Sequence, residues 1–353
     1  KKQLSKNILS MAQAYADGVN TYANQNPNKV NQKLHPVTQE DIIAGSYIQH
    51  LFFAGLDRDL SQIDSQEKQS IPTGSNAIAI NSIKAESNAS YLLINSHQPL
   101  SGPVGWYELN IESESGWHGH GGNFPGSFLI NVGFNNTMSW GATVNRPDVM
   151  DIFELTINPE NPDQYLLDEV WKSFEIEEDY LVFKIFGFLK IKTKQKFRYS
   201  KFGPVLKIKG KYFALRHINQ NSFKEIEGWY EIGNTTNVYE FQKQIAKRKI
   251  PSFNFVIMDA ERNIGYFYNG RIPIRHDASI ARQIIKSSSS KDIWDDSNLV
   301  KDLPTYINPQ NGWVQSTNQN PFYVMGKFSS ENKLVKKFVD YEKRLTNRSY
   351  VAN

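Results

Sequence analysis

A change of hydrophobic period at Ser75 divides this chain in two. Before it, Leu4, Ile8, Met11, Tyr15, Val19 and Tyr22 recur at helical spacing, which predicts an amphipathic helix over 4–24, ended by Pro27 and the Asn-rich stretch after it. Thr38, with Asp41 three residues on, resembles a capping box, and an apolar face follows through Ile42, Ile43, Tyr47, Leu51 and Phe52. Residues 56–74 are polar, poor in pattern and close on Ile-Pro-Thr-Gly, the most linker-like part of the chain. After Ser75 the period shortens. Residues 77–80, 91–94, 128–134, 138–144 and 152–157 read as short buried strands between Gly, Asn and Pro turns. Alternation over 180–197 and 205–215, with turns at Gly187 and Gly210, predicts hairpins, and 253–258 with 264–268 predicts another. Helical patterns return at 237–246 and 335–348. Two helices, then many strands, then scattered helices describe an α+β layered domain.

Composition removes several classes of function. The 353 residues include no cysteine, which excludes disulfide scaffolds, thiolate nucleophiles, zinc–thiolate sites and iron–sulfur clusters. A net charge of +4 is small for this length, and the lysines of 184–194 and 207–211 alternate with apolar residues as the solvent face of strands do. No basic stripe or recognition motif points to nucleic acid. No apolar run approaches the ~18 residues of a membrane span, and the longest, 181–189, is broken by Lys184 and Gly187. No signal peptide is visible. The chain opens on Lys-Lys-Gln without Met and reads as a piece of something longer.

Taken one by one, the polar residues are ambiguous. Gly74-Ser75-Asn76, at the seam between helical and strand-rich parts, reads as a turn. His97 follows a buried strand, where a lone His is usually structural. Asp148 and Asp151 share a loop that is either a cation site or a turn. His118 and His120 lie two apart in a Gly-rich loop, with no third metal ligand nearby.

Taken in order, they resemble one family. Gly74-Ser75-Asn76, Leu93-Ile94-Asn95-Ser96-His97-Gln98-Pro99 and Gly105-Trp106-Tyr107-Glu108 are similar to the start of the catalytic subunit of penicillin acylases. Phe124-Pro125-Gly126, Gly133-Phe134-Asn135, Met138-Ser139-Trp140-Gly141-Ala142-Thr143 and Asp148-Val149-Met150-Asp151-Ile152-Phe153 continue the resemblance. So do Gly270-Arg271-Ile272-Pro273-Ile274-Arg275 and Gly312-Trp313-Val314-Gln315-Ser316-Thr317-Asn318. Each motif is weak alone; the order and the spacing carry the signal.

The resemblance implies a four-layer αββα N-terminal nucleophile hydrolase, cut from a precursor just before its nucleophile. Residues 1–74 then correspond to the end of a small subunit with its spacer, and 75–353 to the front of the large catalytic subunit, together forming one domain. Ser75 is the implied nucleophile and Gly74–Ser75 the implied cut. The freed α-amine, titrating near ~7.7–8.0, is the base, so no metal or organic cofactor is required. The Val144 N–H and the Asn318 side chain map to the oxyanion donors, and His97 to a group that orients Ser75. Arg344 and Arg348 both fall where an arginine supports the Asn. Gln98, Trp106 and Phe124 map to the substrate pocket. Gln98 is polar where long-chain acylases often carry Phe, and Ala77-Ile78-Ala79 stands where a Trp is common. Asp148, the Met150 carbonyl and Asp151 match positions that bind Ca²⁺ in some members, and oxygen ligands suit that ion. The implied substrates are small N-acyl amides: acyl-homoserine lactones, β-lactam side chains or acylated lipopeptides. The implied location is periplasmic or secreted. The alternative is a catalytically inactive member serving as a binding or structural module.

Overall fold

The computed structural model describes residues 3–63, 74–114, 116–185, 189–220, 222–277, 282–295, 297–326 and 345–352. Helix α1 (Lys6–Gln25) buries Ile8, Ala12, Ala16 and Ala23 along one stripe. Helix α2 (Gln39–Phe53) starts on the expected capping box: Thr38 Oγ1 accepts the Asp41 N–H at 3.2 Å, and Asp41 Oδ2 accepts the Thr38 N–H at 2.8 Å. The Thr38 hydroxyl also donates to Asp41 Oδ2 at 2.7 Å, and the Thr38 N–H and hydroxyl together hold the Asp41 carboxyl below its ordinary value. The linker-like stretch is in part a helix, α3 (Leu56–Ser61), entered through Gly55 at φ +94° and tied by the Arg58–Asp59 pair at 2.8 Å. A second helix without a sequence signal is α4 (Lys224–Gly233), which buries Ile226, Trp229 and Ile232; α5 (Val238–Ile245) follows, capped by Asn237.

The described strands form four sheets. A seven-stranded sheet runs Thr305–Ile307 (β18), Ile264–Gly270 (β16), Ser252–Asp259 (β15), Met138–Thr143 (β6), Val132–Phe134 (β5), His118–Asn123 (β4) and Tyr107–Glu112 (β3). A three-stranded sheet places Gly74–Ile80 (β1) between Trp313–Ser316 (β19) and Tyr91–His97 (β2). A six-stranded sheet runs Glu175–Ile185 (β11), Leu189–Ser200 (β12), Gly203–Ile208 (β13), Lys211–His217 (β14), Met150–Glu154 (β7) and Ile284–Lys286 (β17). The fourth sheet joins Ile157–Asn158 (β8), Asn161–Leu167 (β9) and Val170–Ser173 (β10). Both expected hairpins near 180–215 pair as strands; the turn expected at Gly187 lies outside the described residues, and the second hairpin turns through Lys209 and Gly210 at φ +50° and +82°.

Helices α1, α2, α4 and α5 cover one face of the seven-stranded sheet: Ile8, Ile42, Phe53, Trp229 and Phe241 share a core with Trp140, Phe255 and Ile257. Its other face meets the three-stranded sheet, where Ala77, Ala79 and Val314 pack on Val256, Tyr266 and Tyr268. The sheets approach closely at Gly141, where a Cβ would stand 3.0 Å from Ile94 Cγ1 and 3.2 Å from the Ala77 Cβ. The described residues thus build an α–β–β stack, and the outer face of the three-stranded sheet is open at Tyr91 and Leu93, 52% and 55% exposed.

Two expectations shift. Of residues 128–134 only Val132–Phe134 pair as a strand, because Asn123 folds the preceding chain into a turn: its Nδ2 donates to the Ser127 carbonyl and its Oδ1 accepts the Phe124 N–H, both at 2.7 Å. Of the helix expected over 335–348, residues 335–344 lie outside the described residues, and a short helix occupies Asn347–Ala352.

Candidate active site

Strand register assembles the site. In the β1–β2 pair, Gly74 lies opposite His97 and Ser75 opposite Ser96. On the other edge of β1, Ala77 lies opposite Ser316, so the residues just past β19 run alongside the start of β1. Asn318 thereby reaches Ser75. Its Oδ1 accepts the Ser75 N–H at 2.7 Å and its Nδ2 donates to the Val144 carbonyl at 2.8 Å. Asn318 holds φ +69°, a left-handed conformation that Asn tolerates better than most residues. The Ser75 hydroxyl, on a residue only 3% exposed, donates to the Gly74 carbonyl oxygen at 2.6 Å.

Arg348 enters from the short C-terminal helix. It donates to the Ser75 carbonyl at 2.8 Å, to Asn76 Oδ1 at 2.6 Å and to Asn318 Oδ1 at 3.1 Å. The neighbouring Ser349 hydroxyl lies 3.1 Å from Thr317 Oγ1, tying that helix to the Asn318 loop. His97 Nε2 lies 3.3 Å from Asn76 Nδ2. A Cβ on Gly74 would stand 3.2 Å from His97 Nδ1, 3.3 Å from Arg348 Nη2 and 3.4 Å from Asn318 Oδ1. The three side chains close around that bare Cα. Gly74, Ser75, His97, Val144, Asn318 and Arg348, far apart in sequence, therefore meet at one point; Arg344 lies outside the described residues. The cluster offers a hydroxyl in contact with a carbonyl, an amide held at both ends, and a guanidinium behind it.

Ser75 also lines a pocket of about 340 Å³ of empty space, its mouth included. Gln98, Trp106 and Phe124 line it too, together with Phe53, Trp229 and Phe253. Trp106 stacks on Phe124 with centroids 4.1 Å apart, Phe124 on Phe53 at 5.1 Å, and Trp229 meets Phe253 edge-on at 5.4 Å. Phe53, Trp229 and Phe253 escape sequence reasoning because the pocket wall and the hydrophobic core are one aromatic cluster.

His50 completes the wall, with Nδ1 3.3 Å from Glu225 Oε1. Burial pushes Glu225 up to about 8 and His50 down to about 3, so both are neutral at pH 7. The folded chain holds a proton on Glu225 that the unfolded chain has released by pH 6.5, so stability falls as pH rises toward 8. His50 acts oppositely, but only between pH 3 and 6.5. Denaturant midpoints measured from pH 6.5 to 8.5 should therefore decline for the parent protein and stay flatter for Glu225→Gln; parallel profiles would count against a neutral Glu225.

The acidic pair is occupied from within the chain. Arg275 Nε donates to Asp151 Oδ1 and Oδ2 at 3.1 and 3.0 Å, and its Nη2 lies 3.1 Å from Asp148 Oδ1. Trp294 Nε1 donates to Asp151 and the Arg282 N–H to Asp148. Burial raises the Asp148 carboxyl to about 6 against the opposing pull of Arg275. Ca²⁺ needs six to eight oxygens at ~2.3–2.6 Å. Here both carboxylates serve a guanidinium, Met150 stands on β7 opposite His217, and no group of three or more His, Asp or Glu is gathered among the described residues. These residues do not fit a bound divalent cation. EDTA should leave the melting temperature unchanged, whereas Arg275→Met should cost about 3–5 kcal/mol by stranding two buried carboxylates; a melting temperature that falls in EDTA would reverse this assignment. His118 and His120 lie on β4 and not in a loop, and they face Glu112 and Glu108 at 3.8 and 2.8 Å.

The layered sheets with this cluster at their edge have the fold of the N-terminal nucleophile hydrolases. The chain superposes on the thermostable penicillin G acylase from Alcaligenes faecalis with a TM-score of 0.58 at 22% identity, over 70% of this chain and 44% of that one. A family model described as penicillin amidase matches residues 1–348, and the chain belongs to the penicillin amidase family. It is 26% identical over 242 residues to the acyl-homoserine lactone acylase PvdQ of Pseudomonas fluorescens, covering 65% of this chain and 31% of that protein. It is also 26% identical over 265 residues to the penicillin G acylase of Escherichia coli, covering 71% of this chain and 29% of that protein. The chain thus spans about 30% of the length of these curated relatives.

Proposed function

We propose that this chain carries the nucleophile of a self-processing acylase that hydrolyses small N-acyl amides. The observation that carries the reading is the Ser75 hydroxyl, 2.6 Å from the Gly74 carbonyl oxygen, enclosed by His97, Asn318 and Arg348 at the mouth of an aromatic pocket. In the uncut chain, Ser75 Oγ attacks the Gly74 carbonyl carbon, the C–N bond to Ser75 breaks, and the nitrogen takes the hydroxyl proton. Water then hydrolyses the resulting ester and leaves Ser75 with a free α-amine.

That amine is the base in turnover. It accepts the Ser75 hydroxyl proton as Oγ attacks the substrate carbonyl, and it passes the proton to the departing amine; water releases the acyl group. The oxyanion sits between the Val144 N–H and Asn318 Nδ2. One Nδ2 hydrogen is committed to the Val144 carbonyl, and the second is available to the developing charge. Asn318 Oδ1, held by Arg348, fixes the amide in that orientation. His97 orients the Ser75 amine. Nucleophile and base on one residue need no cofactor.

Residues 1–74 and 75–353 are, in this reading, parts of the small and large subunits of one precursor, joined after the cut by the core they share. A periplasmic or secreted location belongs to the same proposal; no described helix is long and apolar enough to cross a membrane. The test offers the full-length protein acyl-homoserine lactones, phenylacetyl amides and acylated lipopeptides and measures released amine. Release from at least one class is expected. A folded, cut protein that releases amine from none would sink the proposal.

A further inference from the structure

The pocket contains polar atoms that the protein itself leaves unserved. Among the described residues, Gln98 Oε1, Asn131 Oδ1 and Trp106 Nε1 are buried without a hydrogen-bond partner. All three residues line the pocket that holds Ser75, and Asn131 is only 4% exposed. The indole is fixed in place: it stacks on Phe124 at 4.1 Å, and a Cβ on Gly122 would come within 3.0 Å of its Cε3.

A ligand that displaces solvent from this space must supply partners for these atoms. An acyl group of carbon and hydrogen alone seals them against apolar matter, at about 1–3 kcal/mol for each unpaired group. A charged acyl group finds no counter-charge, since the titratable group in the wall, His50, and Glu225 behind it are both held neutral. A single hydroxyl serves two of the three, the indole and one amide oxygen. Its O–H donates to an amide oxygen while its oxygen accepts the indole N–H, and it serves an amide equally well if oxygen and nitrogen are exchanged. The enclosed room inside the wall is only about 20 Å³, little more than one water, which favours a short group.

We infer that this pocket selects short, neutral acyl groups bearing a hydroxyl, read by Gln98, Asn131 and Trp106. The inference rests on the acylase reading and narrows its substrate class. Two matched pairs test it on the full-length protein: 4-hydroxyphenylacetyl against phenylacetyl amides, and 3-hydroxyhexanoyl against hexanoyl amides, each with the same chromogenic amine. In at least one pair the hydroxylated member should lead in kcat/KM by about tenfold or more, the value of one buried unpaired group. Gln98→Leu and Asn131→Leu should each shrink that ratio. Gln98→Leu should also melt no lower than the parent, because it removes an unpaired acceptor; this variant carries the test if Asn131→Leu fails to fold. Ratios within twofold in both pairs, or a preference that survives both substitutions, would overturn the inference.

Calorimetric binding of the free acids separates this from the acylase reading. Preferential binding of 4-hydroxyphenylacetate over phenylacetate, or of 3-hydroxyhexanoate over hexanoate, by a protein that cleaves no amide would refute the acylase and leave the pocket assignment standing. Amide cleavage without either preference would refute the pocket assignment alone. Neither cleavage nor preference would refute both.

Discussion

Ser75→Ala in the full-length protein is expected to give a single uncut chain with amide turnover reduced on the order of 10⁶-fold, the scale on which serine nucleophiles fail when deleted. The substitution removes the hydroxyl that contacts the Gly74 carbonyl, so the scissile bond has no attacking group. On the proposed mechanism it also leaves the α-amine locked in a peptide bond, so the base for turnover is never made. The cost to the fold should be only about 1 kcal/mol, the net worth of one hydrogen bond. A melting curve near that of the parent, together with an uncut chain on a denaturing gel, separates lost chemistry from lost structure. Cleavage that proceeds without this hydroxyl would remove Ser75 from the mechanism.

Asn318 carries the second large effect, and the geometry allows its two roles to be separated. Its Oδ1 receives Ser75 N–H and Arg348 Nη2, and its Nδ2 holds the Val144 carbonyl. Asn318→Ala strands the first two donors and should cost about 1–3 kcal/mol in stability. In the processed enzyme it should also lower turnover by about 10²–10³-fold with KM changed only a few-fold, since the lost donor acts on a charge present only around the transition state. Asn318→Asp keeps an oxygen toward Arg348 and Ser75 but has no donor for the oxyanion and adds a negative charge beside it. It also sets a carboxylate oxygen against the Val144 carbonyl, and it should turn over no faster than the alanine variant. Thermal melting and single-turnover kinetics on the same processed sample decide the matter. An Asn318→Asp enzyme with near-parental turnover would leave Asn318 as a loop residue that merely satisfies backbone groups.

The parts of this site that were legible in the sequence are those fixed by local order along the chain. The helix expected over 4–24, the Thr38–Asp41 box and the hairpin turning at Gly210 depend on neighbours a few residues away and form where their patterns stand, although Tyr22 is 52% exposed and Ala12, Ala16 and Ala23 carry the buried stripe with Ile8. Gly74, Ser75, His97 and Asn318 are unremarkable singly; the order of motifs singled them out, and the register of β1 with β2 and β19 brings them together. Arg348 reaches Asn318 Oδ1 at 3.1 Å, and Arg344, the alternative that sequence spacing left open, lies outside the described residues. What sequence missed depends on contacts between distant segments. Arg275 meets Asp151 across 124 residues, a partner that local sequence does not show, so the sequence leaves the two carboxylates open between a cation site and a turn. Helix α4 buries Trp229, yet Gly228 and four glutamyl and tyrosyl neighbours blur its period. His50 looks like an ordinary residue of an amphipathic helix until Glu225, brought in on α4, is placed against it.

Purifying the full-length protein and determining the N-termini of its chains, by sequential degradation with intact mass, tests the central claim most directly. The account predicts two chains, one beginning Ser75-Asn76-Ala77, in every preparation that hydrolyses N-acyl amides. A single chain uncut at Gly74–Ser75 that turns over such amides at full rate would contradict it, because the α-amine that serves as base would not exist.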